Sequence, residues 1–295
     1  MCDFSNFGGP SEEWLDIQKS LPSSASDPPL DQLKELTNQS REVTAANEFR
    51  DIASLLITED HSISMRDGFP LQARTYRPRS ARQGELLPVY IHFHGGGFLF
   101  GTLSSEDAIC GRIAAHLHIL VLNVNYRHTP EYTYPTAWHD AEDAVEWTFQ
   151  NTESLTCDRK QIIVGGISAG GNLSASLTLQ RKLKGLRGSV RGQLLLIPNL
   201  AHIDCYGPQT QRLRDKGVSS LEQNRDAPIL PVSRMRFFSD LLKVENPHPN
   251  DIVSSPGNAT GDDVKGLPPT VIVVAGLDPI RDEGLLYGKL LADNE

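Results

Sequence analysis

A serine flanked by glycines is the first feature of this chain that could do chemistry. Gly166-Ile167-Ser168-Ala169-Gly170 falls between an apolar strand pattern at 161–166 and a helical pattern that begins at Ala169. On a sharp strand-to-helix turn a serine lifts its hydroxyl above the sheet. Glycine is required two positions to either side because a side chain there would strike the neighbouring strand and helix. Behind Ser168, the helix N-terminus supplies positive potential and unsatisfied N–H groups, notably that of Ala169, where an oxyanion develops during acyl transfer. A phosphate loop would also accept Gly165, Gly166, Gly170 and Gly171, but the lysine of such a loop is absent.

The second feature is His94-Gly95-Gly96-Gly97-Phe98, directly after a strand pattern at 89–93. Consecutive glycines let the backbone turn its N–H groups into a cleft, and Gly96 and Gly97 are the expected oxyanion donors. His94 reads as a residue that orients this loop by hydrogen bonding, because a proton shuttle has to face Ser168 Oγ. The third feature is Asp278, beyond an apolar strand at 270–275, where catalytic groups gather at the carboxyl ends of parallel strands. Asp282 competes for the role, although with Arg281 and Glu283 it also suits charge compensation at a helix start. Arg127 and Glu131 are expected to stabilise a loop.

Together these motifs resemble the hormone-sensitive-lipase type of α/β-hydrolase, a carboxylesterase family that carries HGGG and GxSxGG. Four pieces carry the resemblance in the right order. They are His94-Gly95-Gly96-Gly97; Asn125-Tyr126-Arg127-His128-Thr129-Pro130-Glu131, continued by 135–147; Gly166 through Asn172; and Asp278-Pro279-Ile280-Arg281-Asp282-Glu283-Gly284. The resemblance implies an α/β fold with a mostly parallel central sheet. It makes Ser168 the nucleophile, Asp278 the acid that orients a histidine, and Gly96, Gly97 and Ala169 the oxyanion donors. It further implies that residues 1–50 and an insertion at about 200–250 form a helical cap on a hydrolase domain spanning 51–295. The expected substrate is a small or medium apolar ester, and no metal or organic cofactor is required.

One part of that machinery is missing from the sequence. The order Ser, Asp, His places the base after the acid, yet all nine histidines precede Asp278 and only 17 residues follow it. A helix, a strand and their connections need roughly 25–30 residues. Three explanations stay open: a fragment of an active esterase, a variant that kept a ligand pocket without hydrolysis (a binder or a lyase), or a histidine from elsewhere, His128 and His202 being the candidates. The last strand is expected to be missing, which leaves a sheet edge with unpaired backbone groups. The 295-residue chain is therefore expected to self-associate or melt early, and a clean monomer with a sharp cooperative melt contradicts this.

The elements that must hold these residues are legible as alternating strands and helices. Strands at 89–93, 119–125, 161–166, 193–197 and 270–275 alternate with helices at 104–117, 136–150, 169–184 and 281–292, a pattern of βαβ units. A hairpin precedes them, with strands at 55–65 and 71–77 around Asp67-Gly68. Residues 1–50 suggest two short helices, one with Trp14, Leu15, Ile17 and Leu21 after Ser11, the other with Leu30, Leu33 and Leu36. Between 199 and 267 the alternation fails around one helix at 235–242, the mark of a functional excursion.

Composition narrows the remaining classes. The net charge of −9 has no basic cluster that could track phosphates, so nucleic acid is not an expected partner. Apolar runs are strand-sized, too short to cross a bilayer, and residues 1–20 lack the basic start and apolar core of a signal peptide. A cytoplasmic location is expected. The four cysteines show no CxxC spacing, which argues against zinc and redox sites.

Overall fold

At the Asp67-Gly68 turn, Gly68 takes φ +82° and Asp67 Oδ1 accepts from the Phe69 N–H at 3.1 Å. The strands it joins, β1 (Leu56–Ser64) and β2 (Pro70–Pro78), pair antiparallel from Leu56 opposite Pro78 to Ser64 opposite Pro70. In the computed structural model, which describes residues 1–20, 28–186 and 190–294, this hairpin forms one end of a seven-stranded sheet. β2 pairs antiparallel with β4 (Leu120–Val124). Then β3 (Leu87–Phe93), β5 (Cys157–Ile167), β6 (Gly192–Leu196) and β7 (Thr270–Val273) follow β4 in parallel. The order β1-β2-β4-β3-β5-β6-β7 is the mostly parallel sheet that the alternation predicts.

Helices cover both faces. Along β3, Val89, Ile91 and Phe93 point to a core shared with α4 (Thr136–Gln150) and α5 (Ala169–Leu183). Tyr90, one residue out of phase, faces the opposite core with α3 (Asp107–Leu117). The two-residue period of the strand thus feeds two cores. On the side of α5, α10 (Arg281–Ala292) adds the buried Tyr287 to a third cluster with Leu195 and Leu179. Each fully buried large apolar side chain contributes about 1.5–3 kcal/mol.

Two segments depart from the expectations. The first 50 residues hold α1 (Glu12–Gln18), capped by Ser11 Oγ on the Trp14 N–H at 3.2 Å, and then a 20-residue helix, α2 (Leu30–Phe49), where the sequence suggests a short one. Only Ala45 of α2 is buried. Its length comes from polar contacts along one face, which apolar periodicity does not register. Leu21 lies outside the described residues. In the excursion between β6 and β7, the expected helix appears as α8 (Val232–Leu242). Three short α-helices accompany it: α6 (Gly207–Arg212), α7 (Ser220–Gln223) and α9 (Gly261–Val264). They are too short to show a period; side-chain caps hold two of them, Ser219 at α7 and the reciprocal Thr260–Asp263 box at α9. β7 stops at Val273 and lies at the other end of the sheet, with Val271 and Val273 exposed. Among the described residues no helix is long and apolar enough to cross a membrane.

Arg127 and Glu131 are both paired. Glu131 meets Lys34 at 2.6 Å. Arg127, 7% exposed, forms a two-pronged pair with the fully buried Asp140 and reaches the half-exposed Asp67 at 2.7 Å. Asp140→Ala leaves a buried guanidinium with one exposed partner and lowers unfolding free energy by about 3 kcal/mol, whereas Asp67→Ala, which removes a solvent-screened partner, costs far less. Urea unfolding of both variants checks the contrast.

Candidate active site

Ser168 sits where β5 turns into α5, at φ +53° and ψ −110°, a backbone state that L-residues rarely adopt. Neighbours hold it there: its N–H donates to Leu196 O at 2.9 Å, and its carbonyl accepts from Asn172 N–H at 3.0 Å and Asn199 N–H at 3.3 Å. The flanking glycines are steric requirements. A Cβ on Gly166 would fall 2.3 Å from Phe93 O, and one on Gly170 would fall 1.9 Å from the same atom.

Phe93 ends β3, so the loop that follows it emerges beside Ser168. Gly96 takes φ +133° and Gly97 φ +61°, and the loop folds back as Leu99 and Phe100 donate to Gly96 O at 3.0 and 2.9 Å. Among the described residues, the N–H groups of Gly96, Gly97 and Ala169 have no protein acceptor. His94 is fully buried and stacks on Tyr126 with ring centroids 4.3 Å apart. Its Nδ1 donates to Gly95 O at 3.0 Å. Burial pushes its pKa down to about 4.

Gly96, Gly97, Ser168 and Asp278 line one cavity of about 750 Å³. A smaller lobe of about 60 Å³ shares Gly97, Ser168, Leu230 and Phe238 with it and adds Ala169, Trp138, Met235 and His202. Of the five site residues expected from the sequence, four therefore line the large cavity and Ala169 lines the small one that adjoins it at Gly97 and Ser168. Residues 90–295 match a protein family described as alpha/beta hydrolase fold. The chain belongs to that family.

Curated relatives of this hydrolase fold include Esterase LipI of Mycobacterium tuberculosis, 35% identical over 228 residues, covering 76% of this chain and 65% of that protein. An arylesterase of Saccharolobus solfataricus is 31% identical over 239 residues, covering 80% of this chain and 71% of its own length. The chain thus spans just under two thirds of the length of LipI. Among solved structures, an esterase of Pyrobaculum calidifontis superposes with TM-score 0.78 at 31% identity, covering 95% of this chain and 85% of that one. Vibralactone cyclase superposes with TM-score 0.86 at 26% identity, covering 100% and 85%.

Within the hydrolase fold the two aspartates part company. Asp282 is occupied: Oδ2 accepts from Ser220 N–H at 2.8 Å and Oδ1 from Arg281 Nε at 2.9 Å. Asp278 lines the large cavity with Oδ1 accepting from Ile280 N–H at 3.0 Å. Burial pushes its pKa up to about 6. Of the two candidate histidines, His128 lies against His94, Nε2 to Nε2 at 3.2 Å, with burial holding it well below its usual range. His202 lines the small lobe, its Nε2 2.7 Å from Ser239 Oγ and its Nδ1 accepting from Asp204 N–H at 3.3 Å; burial lowers its pKa too.

Sequence reasoning missed Arg41, Trp138 and Phe238, which also line these spaces. Trp138 and Phe238 sit in helices whose apolar stripes read as core. Arg41 belongs to a polar helix face that reads as solvated.

Asp278 has a pKa near 3.8 when exposed and about 6 in the fold, so the folded chain binds the extra proton between those values. Its contribution to stability is full below pH 4 and is lost as pH rises through 6. Asp278→Asn removes this loss. Its stability relative to wild type should rise by up to about 1.4 kcal/mol per pH unit between pH 4 and 6 and stay level outside that window, as read by urea unfolding across pH.

Proposed function

We propose that this chain is a serine carboxylic-ester hydrolase of the hormone-sensitive-lipase type, acting on small or medium apolar esters. The observation that supports the reading is the convergence of Ser168 on its strained turn with three acceptor-free N–H groups and Asp278 around two adjoining, mostly apolar cavities that share Ser168. Ser168 Oγ attacks the acyl carbon, and the carbonyl oxygen becomes an oxyanion held by the N–H groups of Gly96, Gly97 and Ala169. As the tetrahedral adduct collapses to the acyl-enzyme, the Ser168 proton passes through water to the departing alcohol, and a second water then hydrolyses that ester to release the acid and restore the Ser168 hydroxyl. By the resemblance Asp278 is the acid that would orient a histidine, and among the described residues its carboxylate is bonded by the Ile280 N–H and by no histidine. The two lobes meeting at Ser168 suit the two sides of an ester, the shorter in the small lobe. α1 and α2 with the 200–250 excursion form the cap, which contributes Trp14, Arg41 and Phe238 to the walls.

Among the described residues no histidine bonds Ser168 Oγ. Turnover by this chain then rests on oxyanion binding and positioning, worth roughly 10³–10⁴-fold over water. The same observation favours a second reading, a binder of small apolar molecules. A fluorophosphonate probe separates them. The first reading expects one phosphonyl adduct by intact mass, abolished in Ser168→Ala, with p-nitrophenyl acetate hydrolysed slowly through the same serine. Equal labelling in Ser168→Ala would sink it, and binding without any adduct or turnover favours the binder. A lyase on this site would keep its activity in Ser168→Ala.

A further inference from the structure

The geometry points to Arg41, on α2, as a positioning residue that sets the direction of the Gly96 N–H; the inference rests on the oxyanion role proposed above for that group. Lys34, Asn38, Arg41 and Glu42 share one face of α2 at helical spacing. Three of them reach the loop after β3. Asn38 Oδ1 accepts from Gly101 N–H at 2.8 Å, Arg41 Nη1 donates to Gly95 O at 3.1 Å, and Glu42 Oε1 accepts from Thr102 Oγ1 at 2.6 Å. Lys34 Nζ donates to Thr129 O at 2.8 Å, and the Thr129 N–H in turn donates to Phe98 O at 2.9 Å.

The Arg41 contact has a consequence the others lack. Gly95 C=O and Gly96 N–H belong to one planar trans peptide, so a donor that holds the oxygen also aims the hydrogen the opposite way. Glycine on both sides leaves this peptide without local steric preference, and Gly96 sits at φ +133°, so its orientation has to be imposed from outside. Two donors impose it, His94 Nδ1 at 3.0 Å and Arg41 Nη1 at 3.1 Å. Arg41 is itself held: Nη2 meets Glu106 Oε1 at 2.7 Å, and Glu106, 4% exposed, meets His92 Nε2 at 3.1 Å. A buried chain from β3 through Glu106 thus clamps the guanidinium against the oxyanion loop. Docking of the N-terminal helix and orientation of the hole become one event.

The test compares wild type, Arg41→Ala, Arg41→Lys and the exposed control Gln39→Ala by two readouts. In fluorophosphonate labelling, Arg41→Ala should slow the bond-forming rate constant at least about tenfold while the probe's binding constant changes less than about twofold. Arg41→Lys, which keeps a donor but not the two-armed bridge, should recover part of the rate. In hydrogen exchange, the amides of Leu99, Phe100 and Gly101 should open faster in Arg41→Ala, with β3 and α5 unaffected and Gln39→Ala unchanged. A loss confined to probe binding would make Arg41 a mere wall residue and overturn the inference, as would unchanged labelling. If wild-type Ser168 takes no label, the functional reading fails. Exchange then decides for Arg41: faster opening at those three amides supports it, and unchanged exchange overturns it.

Discussion

The close approach of three backbone segments holds the site together. β3 and β5 are parallel neighbours with Phe93 opposite Gly166, and the Phe93 carbonyl lies where a Cβ on either Gly166 or Gly170 would have to be. With glycine at both places, α5 starts almost in contact with the end of β3. The Ser168 turn and the loop carrying Gly96 and Gly97 are then forced side by side at the same edge of the sheet. A methyl group at either glycine would push the two apart, so the sheet, the turn and the loop are coupled through a contact that has no side chain in it.

A site assembled from glycine-rich backbone buys close approach at the cost of self-support. Its orientation comes from polar groups on other elements: His94 stacked on Tyr126, Asn172 bridging to Asn199 O and Ser254 O at 2.8 and 3.0 Å, and the face of α2 that includes Asn38, Arg41 and Glu42. Many of these groups are buried, where a hydrogen bond left unmade is expensive, so they resist rearrangement. The apolar walls do different work. Phe238 and Trp138 shape the space around Ser168 by packing on the loop, Phe238 against Gly97 and Trp138 stacked on Phe98 with ring centroids 4.8 Å apart.

Much of this was legible in the residues. Strand and helix periods located the sheet because both faces of β3, β4 and β5 are buried against helices. The Gly-x-Ser-x-Gly and His-Gly-Gly-Gly spacings located the backbone that lines the cavities, since only glycine satisfies those contacts. The full extent of α2 was not legible, because apart from Phe49 at its end, which packs on Tyr76, the contacts that hold it are polar and distant in sequence: Arg41 reaches Gly95 and Glu106, and Lys34 reaches Thr129. A helix held by such pairs looks, residue by residue, like one facing water. The short helices of the excursion escaped for a related reason, since four to six residues cannot display a period.

The choice between Asp278 and Asp282 shows the division most plainly. Sequence alone determined that an acid follows the last apolar strand and that Ser168, Gly96, Gly97 and Ala169 have the residue types for a nucleophile and its oxyanion donors, because those follow from local backbone geometry. Only the tertiary structure decided which acid lines the cavity, by tying Asp282 to Ser220 and Arg281 and leaving Asp278 on the wall. It alone also revealed that a helix near residue 40 braces a loop near residue 95. Local sterics are written in neighbouring residues, whereas hydrogen-bond partners are chosen by how distant segments pack.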